Sequence, residues 1–288
     1  MQVIENSFRH DNCPLCNSHS IDEVGVIKYN PNLYYSTINI RLTLKPELWH
    51  CKNCGSSFAQ NVIPEGRAIE LYQQGTADER WVSTTFQESK TDEVIDCLKS
   101  LLEPQQRVLD VGCAGGSFLD FAKENGCLTF GVEYSLDNLD TLKAKGHIAY
   151  GGIESSEGLF DLITAFDVIE HLYEPAKFLE MCLERLAPNG SIVFLTGDIS
   201  CTSAKFCGEN WWYAKFPEHI VFPSIHYFSS HPMINVSRHI STQAGKSYEC
   251  SLPIAILKNI NNILRYGHFS ACPSLSGGDH FLVVLQSK

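Results

Sequence analysis

The chain has 288 residues, of which 44% are hydrophobic, so it can bury a sizeable core in one large domain, with or without a small additional module. Its formal net charge of -11 argues against a broad electrostatic grip on nucleic acid or on an anionic membrane. The opening residues lack the apolar stretch of a secretory signal, and no run approaches the roughly 20 apolar residues of a membrane span. We therefore expect a cytoplasmic protein whose 12 cysteines are thiols or metal ligands rather than disulfides.

Residues 1–60 predict a small zinc-binding module. They form short strand-like pieces broken by Asn, Pro and Gly, and they contain the pairs Cys13–Cys16 and Cys51–Cys54. Four thiolates at C-x-x-C spacing bind a tetrahedral Zn²⁺ from two knuckles and leave no open position for catalysis. We interpret the segment as zinc-ribbon-like, with a structural metal that folds a piece too small to hold itself together. Chance spacing or a redox pair is the alternative.

Residues 61–105 predict a helical connector, because PEGRAIELYQQG and TDEVIDCLKSLL have apolar residues at helical spacing. From residue 106 onward, strand-like and helix-like segments alternate. The predicted strands are RVLDV, LTFGVEYS, HIAYG, FDLITAFDV, SIVFLTG and a final HFLVVLQ, with which KSYECSLPI is expected to pair. The predicted helices are GSFLDFAKENG, LDNLDTLKAKG and PAKFLEMCLERLAPNG. This alternation predicts an α/β domain over residues 106–288, with a doubly wound, mostly parallel sheet.

The turn after the first of these strands indicates a ligand site. Asp110 ends the strand, and Gly112, Ala114 and Gly116 occupy the small positions of D-x-G-x-G-x-G. Small residues where a strand turns into a helix let a ligand approach free backbone N–H groups. Glu133 ends the second strand, where an acidic side chain can accept hydrogen bonds from both hydroxyls of a ribose. The alternative is a tight turn without a ligand.

The segments VLDVGCAGGSFL, FGVEYS, FDLITAFDVIEHL and RLAPNGSIVFLT, in this order and spacing, resemble the class I S-adenosylmethionine-dependent methyltransferases over roughly residues 90–200. The resemblance implies a Rossmann-like, seven-stranded fold and S-adenosylmethionine as cofactor. It also implies that the loop from Gly112 to Gly116 passes under the methionine part of the cofactor. Asp110 is expected to hold that loop and the amino group, and Glu133 to bind the ribose.

The rest of the implied cofactor pocket follows the second, third and fourth strands. Tyr134 is expected beside the adenine, and Phe166 and Asp167 are also assigned to the pocket. In relatives, an acidic residue after the third strand often contacts the adenine amine. Here Gly151 and Gly152 stand in that region, and Glu154 is the candidate substitute for that contact.

The cysteine-rich module joined to this fold resembles the deoxysugar C-methyltransferases and their shorter relatives. FPEHIVFPS resembles the E-H…F-S segment that follows the fifth strand in those enzymes. The resemblance implies His219 as general base and Glu218 as its orienting partner, within an acceptor-binding region of about residues 198–230. An aromatic cluster in this region is a candidate wall for a sugar or aromatic ring, with core packing as the alternative: Trp211, Trp212 and Tyr213.

DVIEHL offers a second catalytic candidate. If the segment is helical, Asp167, Glu170 and His171 lie on one face. Some quinone-pathway and RNA 2′-O-methyltransferases resemble this pattern and bind a divalent cation there. The alternative is a helix start packed near the cofactor, and His171 is kept as a further catalytic candidate.

We expect a methyltransferase that acts on an oxygen or carbon of a small molecule, with a sugar, a sugar nucleotide or a polysaccharide component favoured. The alternatives are an RNA or protein methyltransferase, a quinone-pathway-like O-methyltransferase, and a cofactor-binding interaction protein without turnover. The sequence determines neither the acceptor atom nor the oligomeric state. Because the predicted cofactor domain begins after residue 90, it is expected to bind cofactor without the module.

Overall fold

The N-terminal part of the chain forms two small sheets. A computed structural model describes residues 2–74, 85–243, 260 and 278–288. The first sheet has the strand order β1 (Gln2–Ile4), β4 (Ile38–Leu42) and β3 (Asn32–Tyr35). The second has the order β12 (Val221–Phe222), β6 (Ser57–Gln60), β5 (Glu47–Cys51) and β2 (Ile21–Val26). One strand of the N-terminal module therefore comes from far along the chain.

The main sheet has seven strands in the order β13-β14-β11-β10-β7-β8-β9. Their bounds are β7 (Arg107–Val111), β8 (Leu128–Val132), β9 (Ile148–Tyr150), β10 (Phe160–Phe166), β11 (Leu186–Gly197), β13 (Ile234–Thr242) and β14 (His280–Ser287). Strands β7 to β11 pair in parallel, and β14 is antiparallel to both β11 and β13. This arrangement confirms the predicted doubly wound, mostly parallel fold.

Helices cover this sheet and its edges. Their bounds are α1 (Glu65–Gln74), α2 (Phe86–Ser89), α3 (Asp92–Lys99), α4 (Ser117–Glu124), α5 (Leu136–Ala144), α6 (Pro175–Glu184), α7 (Thr202–Cys207) and α8 (Ile225–Ser229). The central strands β10 and β11 read as continuous apolar runs because both faces of a doubly wound sheet are buried. Within the described residues, none of the helices has the length and apolar character needed to cross a membrane.

Two predicted segments differ from the structure or lie outside it. The helix predicted to run to Gly190 ends at Glu184, and β11 begins at Leu186. Pro188 explains the early end, because proline has no backbone N–H and disfavours helical geometry in the residue before it. KSYECSLPI lies outside the described residues, and β13 is the strand that pairs with β14. The predicted helix stop at Gly75 also lies outside them.

One apolar core joins the N-terminal sheets to the main sheet. The largest cluster of buried hydrophobic residues includes Leu48 and Phe58 of the module together with Phe194 and Val283 of the main sheet. The Tyr173 hydroxyl also donates to the Ile63 carbonyl at 2.6 Å. The domain boundaries at residues 60 and 105 stay a prediction. The buried hydrophobic core continues across both of them.

Candidate functional site

The glycine turn between β7 and α4 is tightly packed on one side. Gly112, Ala114 and Gly116 have φ angles of 69°, 46° and 78°, in the left-handed region that favours glycine. A Cβ atom at Gly112 would lie 2.6 Å from Val168 Cγ2, whereas a Cβ atom at Gly115 would meet nothing within 4 Å. The turn therefore requires small residues where it packs and leaves space beside Gly115.

Asp110 is buried at the end of β7 and faces the neighbouring strand. Its carboxylate accepts a hydrogen bond from Thr164 Oγ1 at 2.7 Å. Burial raises the pKa of Asp110 to about 7, although the Thr164 hydroxyl and Lys90 oppose that shift. A positive group placed nearby, such as an amino group, would favour the ionised carboxylate.

Glu133 connects the end of β8 to the glycine turn. One carboxylate oxygen accepts from the Ala114 N–H and the other from the Ser135 N–H, both at 2.9 Å. Each oxygen still has a lone pair for a further donor. Glu133 is 4% exposed, while the adjacent Tyr134 ring is 53% exposed. The structure thus brings the predicted loop and ribose residues together, and Glu133 also holds the loop itself.

Phe166 is the last residue of β10 and Asp167 follows it, but the two side chains have different surroundings. The Phe166 ring packs against Phe118 and Phe86, with ring centroids 5.0 and 5.4 Å away. The Asp167 carboxylate lies 3.0 Å from Lys90 Nζ. Burial alone would raise the pKa of Asp167, but Lys90, His280 and His171 together outweigh it, and the pKa lies below its ordinary value. Sequence reasoning missed Lys90, because a lysine 77 positions away carries no local signal.

The segment after β10 is a single 3-10 turn, Ile169–His171, rather than the helical face that the sequence allowed. Asp167 pairs with Lys90, and its carboxylate is not part of the donor cluster that Glu170 and His171 form with His219. Glu170 is fully buried, where it accepts hydrogen bonds from Thr196 Oγ1 at 2.9 Å and from the Tyr213 hydroxyl. Burial raises the pKa of Glu170.

His171 and His219 lie edge to face, with ring centroids 4.8 Å apart. His219 Nδ1 is 2.8 Å from the Tyr213 carbonyl, and His171 Nδ1 is 2.9 Å from the Glu218 carbonyl. A carbonyl oxygen only accepts, so each Nδ1 carries a proton, and Nε2 is the atom that has a lone pair in the neutral form of the ring. Burial, followed by the nearby His171, lowers the pKa of His219 well below its ordinary value.

Glu218 does not have the orienting role that the sequence predicted. Its carboxylate accepts from the Ser36 N–H at 2.9 Å, in the turn between β3 and β4. Among the described residues, the hydrogen-bond partner of His219 is the Tyr213 carbonyl. The physical reason is that adjacent side chains in this turn point apart, so Glu218 reaches the N-terminal module while His219 is buried.

The aromatic cluster lies largely in the core. Trp211 and Tyr213 are 2% and 4% exposed, and the Tyr213 ring lies 4.4 Å from that of His219. Trp212 is half-buried and donates from Nε1 to Asp279 Oδ2 at 2.7 Å. The sequence analysis missed Asp279 and the adjacent His280. Their signal was positional, because the start of β14, which is antiparallel to β11, lies beside the carboxyl end of β11.

The four cysteines of the two C-x-x-C pairs converge. Cys13 Sγ lies 3.7 Å from Cys54 Sγ, and Cys16 Sγ lies 3.5 Å from Cys51 Sγ. Tetrahedral Zn²⁺ with Zn–S bonds of about 2.3 Å requires sulfur pairs about 3.8 Å apart. The hydrogen bond from Cys13 lowers the pKa of Cys54, which favours the thiolate form that binds Zn²⁺. The donor set and spacing fit a structural zinc.

The described residues contain one further group with donor atoms close enough to share a metal ion. The donor atoms of Glu170, His171 and His219 lie within 4.8 Å of one another. Both Glu170 oxygens already accept hydrogen bonds from neighbouring hydroxyl groups. Residues outside the cluster therefore already engage both Glu170 oxygens and the Nδ1 atom of each histidine.

The sheet order, the glycine turn and the acidic end of β8 define a Rossmann-like methyltransferase fold. A family model described as "Methyltransferase domain" matches residues 83–231, and the chain belongs to this family.

Several known O-methyltransferases are similar to part of the chain. The ubiquinone biosynthesis O-methyltransferase of Alkalilimnicola ehrlichii is 30% identical over 118 residues, which are 37% of this chain and 47% of that protein. The protein of the same name from Bradyrhizobium diazoefficiens is 32% identical over 112 residues, covering 35% and 42%. The chain thus matches less than half the length of these relatives.

Among solved structures, a methyltransferase from Geobacter sulfurreducens in complex with S-adenosyl-L-homocysteine is 15% identical, with a TM-score of 0.46, covering 79% of this chain and 99% of that one. The cyclopropane synthase MmaA2 from Mycobacterium tuberculosis is also 15% identical, with a TM-score of 0.49 and coverage of 68% and 83%.

Removing the Glu133 carboxylate tests the cofactor assignment. We expect Glu133→Ala, and likewise Asp110→Ala, to weaken S-adenosylmethionine binding by about 1–3 kcal/mol, because each removes a buried, charge-assisted hydrogen bond. Asp140→Ala is the matched control, since it removes an equal charge from a side chain that is 86% exposed. Calorimetry that gave wild-type affinity for both site variants would disprove the assignment.

Proposed function

We propose that the chain transfers a methyl group from S-adenosylmethionine to an oxygen or carbon of a small molecule, with a sugar, a sugar nucleotide or a polysaccharide component as the favoured acceptor. The observation that carries this proposal is the geometry of His219. Its ring is 9% exposed, and its Nδ1 proton is directed to the Tyr213 carbonyl. Tyr213 in turn contacts Glu170, beside the carboxyl ends of β10 and β11. A neutral imidazole held in this way can accept a proton at Nε2.

We assign cofactor binding to the backbone from Gly112 to Gly116, to Asp110, and to Glu133 with Tyr134. The open space beside Gly115 and the buried carboxylates of Asp110 and Glu133 suit a ligand with a ribose and an ammonium group. The cofactor supplies an already activated methyl group when bound. The residues of this chain must then align the acceptor, exclude water and remove the proton from a hydroxyl or a carbon acid. We propose His219 for the last of these tasks.

A structural Zn²⁺ on Cys13, Cys16, Cys51 and Cys54 is part of the same proposal. Four thiolates would fill its coordination sphere, so the metal would take no part in methyl transfer. It would instead hold together the two knuckles that flank β5.

A second candidate is cation-assisted O-methylation of a phenolic, quinone-like acceptor. The clustered donor atoms of Glu170, His171 and His219 favour it, and the curated relatives are named ubiquinone biosynthesis O-methyltransferases. A divalent cation would activate the acceptor oxygen as a Lewis acid. The hydrogen bonds that already engage Glu170 argue for the metal-independent route.

Incubation with methyl-labelled S-adenosylmethionine and a panel of acceptors tests the proposed function. We expect label in sugars, sugar phosphates or sugar nucleotides, and equal turnover with and without a chelator of divalent cations. Label in phenols that disappears with chelator would support the second candidate. Label only in RNA or protein, or no transfer despite cofactor binding, would contradict both.

A further inference from the structure

A cavity of about 290 Å³ lies between the N-terminal module and the aromatic segment. The module contributes residues from 28 to 33, and the segment contributes residues from 209 to 216. Tyr213 is not among the lining residues, because its ring faces His219 and His280. His219 is also absent from the lining, to which Trp212 and Ala214, the two sequence neighbours of Tyr213, both belong.

Two positively charged side chains line the cavity, although the protein as a whole is acidic. Lys28 and Lys215 both line it, and both side chains are exposed. Neither forms an ion pair with any residue that the structure describes. The one carboxylate in the lining, Glu209, accepts a hydrogen bond from Asn210 and packs over Gly25, where a Cβ atom would lie only 2.8 Å from Glu209 Cδ. Two ammonium groups are therefore available to an anion.

The lining also offers an aromatic face and unused hydrogen-bonding groups. Lys215 Nζ lies 5.6 Å from the centroid of the Trp212 ring. Trp211 is 2% exposed, and among the described residues its indole N–H has no hydrogen-bond partner. Asn210 Oδ1 is likewise buried without one. A buried polar group without a partner is costly, so a donor and an acceptor here favour a ligand that carries hydroxyl groups.

We propose that this cavity is an acceptor subsite for a phosphorylated sugar, with its phosphate on Lys28 and Lys215 and its ring against Trp212. The inference rests on the proposed function, because it names the part of the acceptor that lies beyond the reacting atom. Ammonium groups attract phosphate oxygens strongly, and sugar rings stack well on indole faces. The phosphate belongs either to a sugar monophosphate or to a nucleoside diphosphate sugar, and both present the same chemistry to the two lysines.

Equilibrium binding to the purified protein, followed by tryptophan fluorescence, tests the subsite without requiring turnover. The probes are glucose, glucose 1-phosphate and uridine diphosphate glucose. We expect both phosphorylated probes to bind more tightly than glucose, and the tighter of the two to identify the source of the phosphate. Lys28→Ala with Lys215→Ala should weaken phosphate-probe binding at least about tenfold, the range expected for losing charge-assisted contacts. Lys45→Ala with Lys99→Ala is the control for the change in net charge.

The outcomes separate the subsite from the proposed function. If phosphorylated probes bind the wild type and the Lys28/Lys215 variant equally, or no better than glucose, the subsite is disproved even where methyl transfer to a small molecule is found. If these probes bind as expected but no small molecule is methylated, the proposed function fails, and the cavity binds phosphorylated sugars without serving as an acceptor subsite. Unchanged S-adenosylmethionine affinity in the Lys28/Lys215 variant is also required.

Discussion

Replacing His219 with alanine is expected to lower turnover by about 10²–10⁴-fold, the usual contribution of general-base catalysis, and to leave S-adenosylmethionine affinity nearly unchanged. The ring is oriented by the Tyr213 carbonyl at Nδ1, so the lone pair at Nε2 is the atom available for the proton of the acceptor. The cofactor residues lie on the turn after β7 and at the end of β8, away from this ring. The measurement is turnover on the true acceptor together with calorimetry of cofactor binding.

His219→Asn separates packing from proton removal. The asparagine amide can still donate to the Tyr213 carbonyl but cannot act as a base, so we expect it to lose as much turnover as the alanine variant. His226→Ala is the control, because His226 is an exposed histidine a short distance along the chain. A loss of less than about tenfold in the His219 variants would leave the base to His171, Glu170 or Tyr213.

The pH profile provides a second measure of the same assignment. His219 works as a base in its neutral form, and burial together with His171 lowers its pKa well below the ordinary value. The neutral form is complete above that lowered pKa and is lost as the pH falls through it. We therefore expect turnover to stay level down to about pH 6.5, the ordinary histidine pKa, and to decline only below it. A decline that begins above that pH would contradict His219 as the base.

Losing the zinc ligands is expected to have the second large effect. Metal analysis should find about one Zn²⁺ per chain, and the double variant Cys51→Ser, Cys54→Ser should lose it. We also expect turnover to fall by about 10²-fold, because a shift of about 1 Å in a reacting group costs that much. The reason is a chain of contacts from the second zinc knuckle to the proposed base.

That chain of contacts is short. The Ser224 hydroxyl donates to the Cys54 carbonyl at 2.5 Å, and the Ser224 N–H donates to Ser56 Oγ at 3.0 Å. Strand β12 pairs with β6, and the Ala59 N–H donates to the Ile220 carbonyl at 2.7 Å, next to His219. The knuckle thus positions the segment that carries the base.

The control for the zinc variant is Cys97→Ser with Cys127→Ser, which removes two thiols outside the cluster. Cofactor affinity should be retained in both double variants, because the glycine turn belongs to the main sheet. Retained zinc in the Cys51/Cys54 variant would place the ligands elsewhere. Full turnover after zinc loss would show that the knuckle does not position the base.

The sequence predicted those parts of the molecule that depend on local patterns. The alternation of strands and helices predicted the parallel strands β7 to β11. The glycine turn, with Asp110 and Glu133, predicted the cofactor loop. The cysteine spacing specified a cluster whose sulfur atoms do converge. Each of these signals is either a short motif or the alternation of neighbouring strands and helices.

The partners of the proposed catalytic residues could not be predicted in this way. The Glu218 carboxylate binds a backbone N–H 182 positions away, and His219 is oriented by a backbone carbonyl. Backbone groups are the same for nearly every residue type, so such contacts leave no trace in the sequence. Strand β12 has only two residues, too few to show a period.

The pairing of β6 with β12 also determines when the N-terminal sheet can be completed during synthesis. Ser56 and Ser224, which this pairing brings together, are 168 residues apart. A ribosome that has made only the first half of the chain therefore exposes β6 as an open edge, and open edges template association between chains. The N-terminal sheet, although its first three strands are synthesised early, is complete only after β12 leaves the ribosome. The N-terminal region is therefore among the last parts of this protein to finish folding.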